Sequence, residues 1–153
     1  MTPEQFLAAV APAAVTSMHA TRIPASITLA QGALESSWGR SWGCELGCNL
    51  FNIKASKAWH GPTFWHDTIE HIGGKDIVVP AEWRKYETWL MAINDHARFL
   101  TDNPRYSACF KPGITNEQFA QALAAAGYAT DPDYASKLIA MIRGRNLGKY
   151  DAT

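Results

Sequence analysis

Between residues 68 and 79 the chain leaves the helical period for a strand period around a glycine pair, and this interruption constrains its fold most. Thr68-Ile69-Glu70-His71-Ile72 alternates, Gly73-Gly74 supplies a turn, and Ile77-Val78-Val79 is β-branched, a pattern that predicts a β-hairpin within about residues 64–86. Pro80 lacks a backbone donor and is expected to limit the pairing of the second strand, leaving the hairpin a small appendage. Helical periodicity governs both flanks. Thr2 and Gln5 have capping-box spacing ahead of Phe6, Leu7, Val10, Ala14 and Met18, which predicts a helix over about 3–18. Ile27, Ala30, Leu34 and Trp38 share one stripe of a second helix, opened by Pro24 and stopped by Gly39. Gly39 to Pro62 reads as a long irregular segment.

Beyond the hairpin, Thr88 precedes the periodic residues Trp89, Ile93, His96, Ala97 and Leu100, which Asn103-Pro104 ends. Thr115 and Gln118 repeat the capping box before Phe119, Ala122 and Leu123, with Gly127 closing that helix. Asp131-Pro132 opens the last one, striped by Tyr134, Leu138, Met141 and Ile142 and ended by Gly144. The expectation is one mainly α domain over residues 1–153 with a single hairpin inserted in it. A chain of 153 residues, 47% of them hydrophobic, is long enough to bury its own core.

Charge narrows the function classes. Fourteen basic and fourteen acidic residues cancel, so no overall positive field recruits nucleic acid or an anionic membrane, whereas a neutral polymer such as a glycan suits the balance. No stretch approaches the roughly 20 apolar residues that cross a bilayer, so membrane insertion is not expected. Cys44, Cys48 and Cys109 are too few for a disulfide framework, though a Cys44 to Cys48 bridge is open. Met1-Thr2-Pro3-Glu4-Gln5 lacks a basic region, and Pro12 interrupts the apolar run after it, so a first helix is expected there and not a secretory signal.

Glu35 is the candidate proton donor. It falls in the last turn of the second helix, where the negative end of the dipole disfavours its ionised form, and Leu34 and Trp38 are expected to reduce its access to water. A carboxylic acid that keeps its proton near neutral pH can protonate the departing oxygen of a glycosidic bond. Such hydrolysis generally needs a second group, a carboxylate or an amide of the substrate itself. Glu70 on the hairpin is the leading candidate, with Glu45, Asp67, Asp76 and Glu82 competing, although most strand carboxylates simply face solvent. Trp38, Trp42, Phe51, Trp59, Phe64 and Trp65 could pack against sugar faces or fill the core, and Trp59, in a loop near Gly61, is the least core-like of them.

Several segments together resemble glycoside hydrolase family 73, the bacterial N-acetylglucosaminidases that cut peptidoglycan. They are Ala30-Gln31-Gly32-Ala33-Leu34-Glu35-Ser36-Ser37-Trp38-Gly39, Asn49-Leu50-Phe51-Asn52-Ile53-Lys54, Thr68-Ile69-Glu70, Trp83-Arg84-Lys85-Tyr86, Asn103-Pro104-Arg105-Tyr106, and the run from Ala126 to Ala135. The resemblance implies a lysozyme-like fold, a helical lobe with a small β-lobe beside an active-site cleft. It implies Glu35 as general acid, Glu70 as the second glutamate, Tyr128 as an active-site tyrosine, and Asn49 and Phe51 as substrate-groove residues; Trp59 joins the substrate-binding set. Asn52 departs from the family, which commonly has glycine there, and the hairpin after Glu70 diverges too.

The expected activity is cleavage of the β-1,4 bond between N-acetylglucosamine and N-acetylmuramic acid by a monomer, without metal or other cofactor, with peptidoglycan strands as partner. An endolysin role is expected, reaching the wall through a holin, a phage particle or a secretion system. Rival readings are a lytic transglycosylase or muramidase, a silent wall-binding module, and a zinc site built from Cys44 and Cys48 with His60, His66 or His71. Structural zinc usually takes four ligands in tighter spacings, and His19 and His96 read as structural residues on helices.

Overall fold

The computed structural model describes residues 1–153. Helix α1 (Pro3–Thr21) starts at the expected capping box: the Thr2 hydroxyl accepts from the Gln5 amide at 3.2 Å, and the Gln5 side chain accepts from the Thr2 amide at 2.8 Å. It runs on past Met18 and ends where Arg22 turns left-handed at φ 65°. Its inner face carries Phe6, Val10, Ala14 and Ser17, spaced to meet the following helix.

That helix, α2 (Ala25–Ser36), is enclosed on every side and not along one stripe, for every residue from Ala25 to Ala33 is buried. Two of its polar residues reach across to other elements, although the Gln31 side-chain oxygen is left without a partner. Ser26 donates its amide and hydroxyl to the Asp151 carboxylate at 2.8 and 2.7 Å, and Gln31 donates to the Tyr134 hydroxyl at 2.8 Å. Gly32 lets the core close tightly, because a Cβ there would lie 2.8 Å from Leu50 Cδ2.

The segment expected to be irregular contains a short helix, α3 (Trp42–Gly47), capped by the Ser41 hydroxyl and closed by Cys48 at φ 49°. Gly43 and Gly47 hide it from propensity reading. Both sit where neighbours pack closely: a Cβ would fall 2.7 Å from Asn52 Oδ1 at Gly43 and 2.4 Å from Phe64 Cε1 at Gly47, so a side chain at either position makes its neighbour move.

Strands β1 (Thr63–Ile72) and β2 (Lys75–Arg84) form one antiparallel ribbon, with Gly73 and Gly74 at φ 59° and 77° in its turn. The expectation for Pro80 is corrected: it pairs opposite Asp67, and the register continues to Thr63 opposite Arg84. In a two-stranded ribbon each strand keeps an open edge, so a proline facing outward removes no ladder bond. Near the ribbon's base Trp83 is buried, while Ile69, Ile72, Ile77 and Val78 near its tip are exposed.

Helix α4 (Trp89–Asp102) is capped by Thr88 as expected, and a 3-10 segment, Pro104–Phe110, follows. Thr115 and Gln118 form the second capping box at the start of α5 (Asn116–Ala125). Asp131 and Pro132 lie in a turn, so α6 (Tyr134–Gly144) begins slightly later than predicted, and a 3-10 segment, Leu147–Ala152, completes the chain. The helices bury a single cluster that includes Phe6, Ile27, Leu50, Ile93, Phe119 and Leu138, each contributing about 1.5–3 kcal/mol of transfer free energy. The result is the mainly α, lysozyme-like arrangement, a helical lobe carrying a β-hairpin lobe. All three cysteines are free thiols, so Cys44 and Cys48 are not bridged.

Candidate active site

Glu35 occupies the last turn of α2, and the chain leaves that turn through unusual backbone. Ser37, Trp38 and Gly39 adopt φ of 51°, 62° and 74° in succession. Two of these residues carry side chains in a region that disfavours them, a strain typical of functional turns. The Ser36 hydroxyl stabilises the exit by donating to the Gly32 carbonyl at 2.5 Å and accepting from the Gly39 amide at 2.8 Å. From the neighbouring segment the Asn52 amide donates to the Glu35 main-chain carbonyl at 2.8 Å. Asn52 is itself left-handed at φ 51°, the geometry a glycine would take there.

The Glu35 carboxyl faces a cavity of about 340 Å³ walled also by Phe51, Ile53, Arg84, Asp95, His96, Phe99, Arg105, Tyr106 and Tyr128. Burial among these walls raises its pKa above the ordinary carboxylate value. The expected shields, Leu34 and Trp38, are not among these walls. They lie against α6 beside Met141 and Arg145, with the Trp38 ring edge-on to Phe6. Because α2 is surrounded, adjacent residues in its sequence point into different neighbourhoods.

Opposite Glu35, the Tyr128 hydroxyl and His96 Nε2 are 2.8 Å apart. Burial holds the phenol well above its usual range, and burial lowers His96 to about 3 against a smaller opposing pull from Asp95, so both are neutral near pH 7. His96 is 2% exposed and stacks on Phe51 with ring centres 3.9 Å apart, while Tyr128 stacks on Tyr134 at 5.5 Å. Asp95 accepts from Arg84 Nη1 and the Tyr86 hydroxyl, each at 2.6 Å, which fixes the guanidinium on the cavity wall. Arg105 donates to the Tyr106 hydroxyl at 2.7 Å.

Three of the six predicted site residues, Glu35, Phe51 and Tyr128, thus share one cavity. The others lie outside its walls. Asn49 is fully buried, with its amide donating to the Ile53 and Arg84 carbonyls at 2.9 Å and its oxygen accepting from the Ile53 amide. It is correspondingly unavailable to a ligand and pins the groove backbone instead. Trp59 is half-buried, donates to the Pro62 carbonyl at 3.0 Å, and lies under Arg84 at 4.7 Å, so it reaches the cavity through that arginine. Glu70, on the hairpin, is ion-paired with Lys54 of the preceding segment, and its side chain is 40% exposed.

Sequence reasoning missed Arg84, Asp95, His96, Arg105 and Tyr106 as walls. Four of them carry readable signals: Arg84, Arg105 and Tyr106 sit in family-like segments, and His96 stands on a helical stripe, where it reads as structural. No three of the histidines, cysteines and acids converge in a metal-holding group; His66 stacks on Trp42 and His71 pairs with Asp76.

What the cavity offers is a carboxyl whose proton burial holds more tightly than usual, a neutral phenol and a neutral imidazole between aromatic walls, with Arg84, Asp95 and Arg105 on the same lining. Such a set can donate a proton and hydrogen bonds to an uncharged polar ligand.

Comparison with known proteins agrees. Residues 11–147 match the glucosaminidase family described as mannosyl-glycoprotein endo-beta-N-acetylglucosaminidase. The peptidoglycan hydrolase FlgJ of Escherichia coli strain K12 is 43% identical over 142 residues, covering 90% of this chain and 45% of that protein. This chain therefore spans about half the length of such relatives. The glycoside hydrolase domain of Salmonella typhimurium FlgJ superposes with a TM-score of 0.82 at 36% identity, over 99% of this chain and 93% of that one. For the catalytic domain of the autolysin Auto from Listeria monocytogenes the TM-score is 0.88 at 30% identity, over 97% and 87% of the two chains.

Proposed function

Because the chain belongs to the glucosaminidase family, we propose that it is a peptidoglycan hydrolase that cleaves the β-1,4 bond between N-acetylglucosamine and N-acetylmuramic acid, with Glu35 as general acid. The observation that carries this reading is the Glu35 carboxyl, raised in pKa by burial and set in one cavity with Tyr128. Its proton passes to the glycosidic oxygen as the bond from that oxygen to the anomeric carbon breaks. Tyr128 contacts the sugar's acetamide, and Phe51 lines the groove. The description of the Escherichia coli relative as a peptidoglycan hydrolase supports the polymer as substrate.

With Glu70 paired to Lys54 and outside the cavity walls, the nucleophile best placed is the acetamide oxygen of the substrate. It bonds to the anomeric carbon as the leaving group departs, water then opens the ring so formed, and the anomer is retained. Glu70 enters chemistry directly only if the hairpin delivers it over the cavity, where it would act as base for water and invert the anomer. In cellular terms we place the protein among wall-lytic enzymes of the endolysin kind, delivered by a holin, a phage particle or a secretion system.

Mass spectrometry of borohydride-reduced fragments from purified peptidoglycan tests the bond assignment. Reduced N-acetylglucosamine ends are expected; anhydromuramic ends would establish a transglycosylase instead. Proton NMR of the first product anomer distinguishes retention from inversion.

A further inference from the structure

His96 stands in the middle of α4 among apolar positions, with Ala92, Ile93, Ala97 and Leu100 buried around it. A buried imidazole is costly unless its polar atoms are used. Within the protein it makes one hydrogen bond, from or to the Tyr128 hydroxyl at 2.8 Å. Phe51 covers one face of the ring at 3.9 Å and 11° from parallel, and Tyr128 meets it edge-on at 5.9 Å, which fixes the plane in which its two nitrogens lie.

We propose that His96 is a positioning residue for Tyr128: its Nε2–H donates to the phenol oxygen and leaves the tyrosine's own O–H to point into the Glu35 cavity. A neutral imidazole carries one N–H. Placed on Nε2, that proton has an acceptor at hydrogen-bond distance; placed on Nδ1, it has none in the protein. In the second arrangement the phenol would spend its proton on His96 and show only lone pairs to the cavity. The first gives the cavity a directed donor, the complement of a carbonyl oxygen such as that of an acetamide. As a donor already aimed before the ligand arrives, it would lose no hydroxyl rotation on binding.

This inference rests on the reading that Tyr128 contacts substrate, and the experiment separates the two. Steady-state hydrolysis of purified peptidoglycan is compared for wild type, His96→Phe, His96→Gln, Tyr128→Phe and His96→Phe with Tyr128→Phe, each with its melting curve. Phenylalanine keeps the stack on Phe51 and removes the donor, while glutamine places an amide N–H near the position of Nε2. His96→Phe is expected to lower kcat by on the order of ten-fold with KM nearly unchanged, and His96→Gln to recover most of the loss. In the Tyr128→Phe background His96→Phe should cost nothing more.

Full additivity of the two losses would overturn the positioning role while leaving that of Tyr128 intact. An active Tyr128→Phe variant would overturn both. If His96→Phe does not fold, 15N NMR of the wild-type imidazole decides: protonation at Nε2 is required, and a ring protonated at Nδ1 contradicts the proposal.

Discussion

The side-chain amide of Asn52 donates to the main-chain carbonyl of Glu35 at 2.8 Å, tying the turn that carries the candidate acid to the segment that contributes Phe51 and Ile53 to the cavity wall. The same residue is left-handed, and its own Oδ1 is buried without a partner. Glycine at 52 would keep the backbone geometry, lose the tie and remove the orphaned oxygen. Alanine would add strain of roughly 1–2 kcal/mol. Asn52→Ala should therefore melt clearly below Asn52→Gly, and both should lower kcat by loosening Glu35. Equal melting temperatures for the two would show that backbone strain at 52 is not what asparagine relieves.

The environment of Glu35 also sets a pH dependence of stability. A carboxyl whose folded pKa is raised stabilises below its unfolded value and loses that contribution as pH rises through the folded one. The native protein should lose stability relative to Glu35→Gln above the ordinary carboxylate value of about 4.3. Melting temperatures measured across pH for both proteins check this. Parallel curves would mean that burial does not disfavour the charge.

His96 acts with the opposite sign. Its folded pKa, lowered to about 3, makes the neutral ring's stabilisation complete above the unfolded value of about 6.5 and progressively lost as pH falls toward 3. Across that window wild type should lose more stability than His96→Gln. Chemical denaturation at a series of pH values gives the two slopes, and identical slopes would count against a buried neutral imidazole.

Packing at the base of the hairpin gives a further test. A Cβ added at Gly47 would meet the Phe64 ring at 2.4 Å and the Arg84 carbonyl oxygen at 3.4 Å, so the ring or the strand must move. Gly47→Ala should cost about 1–3 kcal/mol and lower the melting temperature by several degrees. An unchanged melting temperature would show that Phe64 swings aside freely.

These residues also show what could be read before the structure. The two capping boxes at Thr2 and Thr115, and the turn at Gly73-Gly74, are local chemistry, and the elements they start lie where expected. Helix α3 was illegible because Gly43 and Gly47 answer to Asn52 and Phe64, contacts distant in sequence. Glu35 was legible through its place at a helix end, yet the walls that bury it come from the segments around Phe51, His96 and Tyr128 and not from Leu34 and Trp38. A buried histidine on an apolar stripe reads the same whether it faces core or cavity, so the sequence shows His96 without its role.

The central claim is that Glu35 supplies the proton. The most direct measurement is the rate at which wild type and Glu35→Gln, both shown to be folded, release soluble fragments from purified peptidoglycan. Loss of a general acid predicts a fall of about 10²- to 10⁴-fold with substrate binding retained. A Glu35→Gln protein that digests peptidoglycan at the wild-type rate would contradict the account.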